Sequence, residues 1–90
     1  MVKNYAEQMV EEILPTVLKN YESICKCEKC LNDIRCIALN NLKPLYYDSE
    51  KGGVYLKVKS LDLQYKTDVI REIANAIKIV SQNTNHNHEE

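Results

Sequence analysis

Cys25, Cys27 and Cys30 form a C-x-C-x-x-C cluster, and with Cys36 they are all the cysteines of the chain. Thiolates bind zinc at about 2.3 Å, and a structural zinc ion takes about four ligands in a tetrahedron. C-x-x-C spacing brings two sulfurs to one ion when the second cysteine opens a helix. A cysteine two residues upstream, on extended backbone, reaches the same ion. The other readings are three buried small hydrophobes or a disulfide, which needs an oxidising compartment. The N-terminal MVKNYAEQ lacks the apolar core of an export signal, so a cytoplasmic setting with reduced thiols is expected. Three cysteines within six positions favour a metal over ordinary core filling.

Cys36 is the obvious fourth ligand, and helix geometry argues against it. It lies six residues after Cys30, about 240° around a helix and about 9 Å along it. The expectation is a small core residue at Cys36. The fourth ligand is then open among His86, His88, an acid such as Asp33, a water or a second chain. Asp33 stands one turn after Cys30, where it either supports the cysteine loop or pairs with Lys29 on the helix surface.

These residues carry a resemblance. C-x-C-x-x-C, then Asn32-Asp33-Ile34, Ala38-Leu39-Asn40, Leu42, Pro44 and Tyr46, resembles the signature of the late competence protein ComFB family. Asn4-Tyr5-x-Glu7-x-x-Val10 upstream, and Asp68-Val69 before an Ala-Ile helix, fit as well. The likeness spans nearly the whole chain, but only the cysteine-to-tyrosine run is specific. Cys36 stands where the family usually has a small residue, and Lys43 replaces the first of two prolines. The resemblance implies a small, mainly helical, dimeric, zinc-binding protein that is not an enzyme. It also implies a regulatory role linked to competence or motility, through binding of a cyclic dinucleotide (cyclic di-AMP or cyclic di-GMP). His86 falls near a family position often held by histidine or cysteine, which makes it the preferred fourth ligand.

Composition sets the limits. Ninety residues make one domain, and a core so small commonly needs a metal or a partner subunit. Hydrophobic residues are 44% and charged residues 28%, enough to fold. A net charge of −1 argues against general DNA or RNA binding, which needs a basic face. Apolar runs are too short to span a membrane. All six aromatic residues are tyrosines, so the core must be aliphatic.

The elements that position the cluster follow from periodicity. A first helix is predicted from about Tyr5 to Tyr21, capped by Asn4 with Glu7 in capping-box position. Met9, Val10, Ile13, Leu14, Val17, Leu18 and Tyr21 form its apolar face, and Pro15 predicts a kink or a break. The second helix is predicted from about Glu28 to Asn41. Leu31, Ile34, Ala38 and Leu42 form its stripe beside Ile37, with Asn40 or Asn41 as C-cap and Pro44 barring continuation. Residues 45–59 read as a short hairpin or an extended loop, with Tyr46-Tyr47 and Val54–Val58 strand-like and Ser49–Gly53 a turn. A third helix is predicted from about Leu61 to Gln82, capped by Ser60. Its apolar residues, Leu63, Val69, Ile70, Ile73, Ala74, Ala76, Ile77 and Val80, cover more than one face. So wide an arc must be buried on two sides, and a second copy is the simplest cover.

The expected fold is therefore all-α: three main helices with a short extended or hairpin segment near 45–59, zinc-stabilised and dimeric. One domain covers 1–82, and 83–90 is a polar tail. Arg35 and Arg71, the two arginines, can fork onto phosphate, and a dimer axis would pair them, which suits a two-fold cyclic dinucleotide. Tyr46 and Tyr47 could stack on purines, and Asn40 could read a base edge. The competing functions are an adaptor for a protein partner with no small ligand, and a thiol redox protein. No catalytic constellation is visible, and the helical pattern lacks the βαβ context of a redox C-x-x-C.

Overall fold

The computed structural model describes residues 1–48, 50 and 62–82. The chain opens with strand β1 (Val2–Asn4), continues as helices α1 (Tyr5–Leu18) and α2 (Glu28–Asn40), returns through strand β2 (Tyr46–Asp48), and ends in helix α3 (Asp62–Gln82). The mainly helical expectation holds. The strand-like Val54–Val58, all of the 49–53 turn except Glu50, the Ser60 cap and the 83–90 tail lie outside the described residues.

Asn4 starts α1 as its sequence position predicts. Its side-chain oxygen accepts the Ala6 N–H at 3.1 Å, and also the Leu45 N–H at 3.0 Å. One amide thus caps the helix and fixes the chain entering β2. Tyr5 N–H donates to the Leu45 carbonyl at 2.7 Å, and β1 and β2 then pair antiparallel, Val2 with Asp48 and Asn4 with Tyr46. Tyr46-Tyr47 is a strand as expected, but the partner found for it is the N-terminus. Pro15 lies inside a single 14-residue helix. It stands on the exposed face, where α1 runs through it as one element.

The three helices share one aliphatic core. Met9, Val10, Ile13, Leu14 and Val17 come from α1, Ile34 and Ala38 from α2, and Val69, Ile73, Ala76, Ile77 and Val80 from α3. The helix α3 packs on both α2 and α1, most extensively on α2. Each buried set follows the three-and-four spacing of one helical face. Tyr5, Tyr47 and Tyr65 form a second, aromatic knot where the strands meet α3. Tyr5 meets Tyr47 edge-on at 6.2 Å and stacks on Tyr65 at 6.0 Å between ring centroids. Hydroxyls complete it: Tyr47 donates to Gln8 at 2.6 Å and Tyr65 to the Lys43 carbonyl at 2.9 Å.

Cys36 corrects one expectation. It is exposed, not in the core. The buried line of α2 runs Cys30, Ile34, Ala38, and Cys36 is about 200° around the helix from Ile34. Of the arc on α3, the described residues bury Val69, Ile73, Ala76, Ile77 and Val80 and leave Leu63 81% and Ile70 42% exposed. Among the described residues, no helix is long and apolar enough to cross a membrane.

Candidate metal centre

The loop after α1 delivers Cys25 and Cys27 to the head of α2. Cys27 is the N-cap residue, with extended backbone at φ −74° and ψ 167°. Its carbonyl accepts the Leu31 N–H at 2.9 Å, which begins the helix, and its sulfur accepts the Cys30 N–H at 3.5 Å. Cys30, three positions on, points into the core at 1% exposure. Cys25 is half-buried and Cys27 exposed.

The three sulfurs lie within 4.8 Å of one another. Sulfurs on a tetrahedral zinc ion, each at about 2.3 Å, stand about 3.8 Å apart. Closing the trio onto one ion therefore asks for rotamer adjustments of about 1 Å or less, and the donor set fits zinc in number, softness and spacing. Electrostatics set what a bound ion would have to offset. Burial, reinforced by the neighbouring thiols of Cys25 and Cys27, pushes the Cys30 thiol up to about 12. The Cys30 N–H, aided by Cys25, draws the Cys27 thiol below its usual range. A crowd of three sulfurs, one of them buried, stays ionised only beside a cation.

The other sequence-derived candidates are spread over the molecule. His86 and the alternative His88 lie outside the described residues. Asp33 pairs with Lys29 at 2.8 Å on the surface of α2. Arg35 reaches across to α1, its Nε donating to Glu11 at 2.6 Å and its fork to Asn32 at 2.9 Å. Arg71 pairs with Asp68 at 3.1 Å and Glu72 at 3.5 Å. It borders a groove of about 470 Å³ formed by Asn41–Leu45 against Tyr65 and Asp68. Asn40 is exposed at the end of α2, while its neighbour Asn41 is the cap, its amide donating to the Ile37 carbonyl at 3.1 Å. Tyr46 is 62% exposed and Tyr47 is buried in the aromatic knot. One further feature escaped the sequence reading. A groove of about 640 Å³ runs between α1 and α3, floored by Met9, Ile13, Val17 and Ile70 and edged by Glu12 and Lys66. Its signal was the breadth of the apolar arcs on both helices.

Fold and cluster together define a small helical protein whose middle helix opens on three sulfurs able to hold a metal ion. Residues 3–84 match the family model described as late competence development protein ComFB, and the chain belongs to that family. The competence protein ComFB of Bacillus subtilis (strain 168) is 28% identical over 82 residues, covering 91% of this chain and 84% of that protein. The solved structure of the late competence protein ComFB from Bacillus subtilis superposes with a TM-score of 0.73 at 28% identity. That match covers 92% of this chain and 91% of the other.

Proposed function

We propose that this ComFB-family protein is a zinc-stabilised homodimer that acts in the cytoplasm as a regulatory module, without catalysis of its own, and that its ligand is a cyclic dinucleotide. The observation that carries the metal half is the trio of sulfurs within 4.8 Å at the head of α2. The domain is taken to span 1–82, with His86 of the tail completing the site. Elemental analysis of protein purified under reducing conditions tests it, with about one zinc per chain expected. Ion-free protein whose melting is the same with chelator and with added zinc overturns it.

The dimer is supported by Leu63 and Ile70, apolar side chains that the described residues leave open beside the α1–α3 groove. Burying two such side chains contributes a few kcal/mol, about 1.5–3 each. Sedimentation equilibrium should give twice the chain mass. For the nucleotide, Arg71 at its groove and the open ring of Tyr46 are the best placed candidates, with Arg35 and Asn40 on α2 and Tyr47 beneath. Calorimetric titration with cyclic di-AMP and cyclic di-GMP should show micromolar binding of one of them, and silence with both removes the ligand.

Silence would favour the second reading, an adaptor for a protein partner of the competence or motility machinery. A specific observation supports that reading too. Both arginines are already engaged by carboxylates, so a phosphate would have to displace Glu11 or Asp68.

A further inference from the structure

The head of α2 is arranged for a second chemistry. Cys27 is exposed at the N-cap and Cys30 is buried one turn on. The Cys30 N–H donates to the Cys27 sulfur at 3.5 Å, so both side chains occupy the same turn. Positions i and i+3 of a helix have Cα atoms about 5 Å apart, inside the range of about 4.4–6.8 Å that a disulfide spans. An oxidant in solution reaches Cys27 directly, whereas Cys30 is accessible chiefly to its neighbouring sulfurs. Cys25 competes for Cys27, but two cysteines separated by one residue close a smaller ring, and the extended backbone at Cys27 would have to bend. Cys36 is about 9 Å along the helix from Cys30 and out of reach.

We propose that Cys27 and Cys30 form a reversible disulfide in response to hydroperoxides, and that closing it releases the metal ion. The release half rests on the metal reading above; the disulfide itself does not. The Cys27 sulfur attacks the O–O bond of the hydroperoxide and becomes a sulfenic acid, while the other oxygen leaves as an alcohol, or as water from hydrogen peroxide. The Cys30 sulfur then attacks the Cys27 sulfur, the S–S bond forms and the hydroxyl leaves as water. Two thiols and one hydroperoxide give one disulfide, one alcohol and one water. Two electrons pass from sulfur to oxygen, and the thiol protons end on the oxygens. Two of the three donors are then withdrawn from the ion.

The sequence makes the test direct, because Lys26 and Lys29 place the three cysteines on three separate tryptic peptides. The full chain carrying Cys36→Ser is reduced, loaded with zinc and treated with equimolar hydrogen peroxide. It is then alkylated and digested, with released zinc read by a chromogenic chelator. The expected result is a linked pair of peptides, Cys27–Lys29 with Cys30–Arg35, up to one zinc ion released per chain, and reversal of both by dithiothreitol. Cys25→Ser should keep the link and Cys30→Ser should abolish it. A Cys25–Cys27 link, or sulfonic acids without a disulfide, overturns the proposal. If the reduced chain holds no zinc yet the link forms, the metal reading fails and the pair stands. If zinc is held and peroxide gives no link, the pair fails and the metal reading stands.

Discussion

Substitution of Cys27 separates the helix-capping role of its sulfur from the metal-binding role proposed for it. As the N-cap of α2 it accepts the Cys30 N–H at 3.5 Å, a long bond to a weak acceptor. An oxygen cap is worth about 1 kcal/mol over alanine, and sulfur at this distance should supply about half. In reduced, chelated protein, Cys27→Ser should therefore stabilise by about 0.5 kcal/mol and Cys27→Ala destabilise by about as much. For a chain of this size, 1 kcal/mol moves Tm by about 4–8 °C, so serine should melt about 2–4 °C above wild type and alanine about 2–4 °C below. Zinc should reverse the serine result. The apparent binding free energy of a structural zinc site is about 10–16 kcal/mol, far above any cap, so losing one ligand outweighs the better acceptor. With equimolar zinc, both variants should melt well below wild type. Cys25→Ser controls for the metal alone: within about 0.5 kcal/mol of wild type when chelated, and lowered with zinc. The assay is thermal circular dichroism in a phosphine reductant, with and without chelator. Serine melting below wild type in chelator would refute the cap, and an order indifferent to zinc would refute the metal.

Three further substitutions probe the frame around the site. Ile34→Ala removes a side chain 1% exposed where α2 meets the core, and should cost about 2–5 kcal/mol, read as a lowered urea midpoint; a loss under 1 kcal/mol would mean the helices are packed otherwise. Glu11 and Arg35 tie α1 to α2 at 2.6 Å with side chains 58% and 29% exposed. A double-mutant cycle with Glu11→Gln and Arg35→Met should give a coupling under about 1 kcal/mol that fades in high salt; a larger, salt-independent coupling would mean the pair is dry. Asp48 is held below the usual carboxylate range by the Glu50 N–H and then by the Met1 amino group. A lowered folded pKa stabilises above the unfolded value of about 3.9 and loses that stabilisation as pH falls through the folded value. Asp48→Asn should thus lower stability at pH 7 and converge with wild type at acid pH, and a gap constant from pH 7 to pH 2 would contradict the pairing.

Much of this was legible because helices announce themselves by period. The faces of α1 and α2 and the Asn4 cap follow from local spacing, and the cysteine trio from ligand spacing alone. What failed was whatever depended on distant chain. The strand β1 has three residues, and its partner lies more than forty positions away, so no local pattern marks Val2–Asn4 as extended. The aromatic knot needs Tyr5, Tyr47 and Tyr65 together, from three elements whose order in space the sequence does not state. Cys36 was misplaced for a simpler reason. The stripe on α2 was drawn through Leu31, Ile34 and Ala38, whereas the deepest line begins at Cys30. The line shifts by one residue to take in Cys30, but Cys36 lies about 200° from Ile34, opposite the face on either line, so the helical period already kept it out of the core.

That shift also changes what the cluster does for the fold. Cys30 is part of the buried core, and its sulfur lies within 4.8 Å of those of Cys25 and Cys27. A thiolate in that position is unfavourable without a counter-charge, since burial and the neighbouring thiols of Cys25 and Cys27 push its pKa up. A metal ion bound there would supply the counter-charge and in the same act hold the loop 25–27 against the end of the core. Apolar burial in 90 residues is marginal, so the proposed ion and a second copy on the open side of α3 would be two answers to the same shortage. The two answers are separable by experiment. If zinc alone completes the fold, a charge at Leu63 on the open face (Leu63→Glu) should leave a stable, zinc-bound monomer. If the second copy is also required, the same change should lower Tm with zinc present and make it independent of protein concentration, whereas wild type should melt higher as concentration rises. Unchanged melting at every concentration, with the mass still that of two chains, would show that Leu63 lies outside the contact.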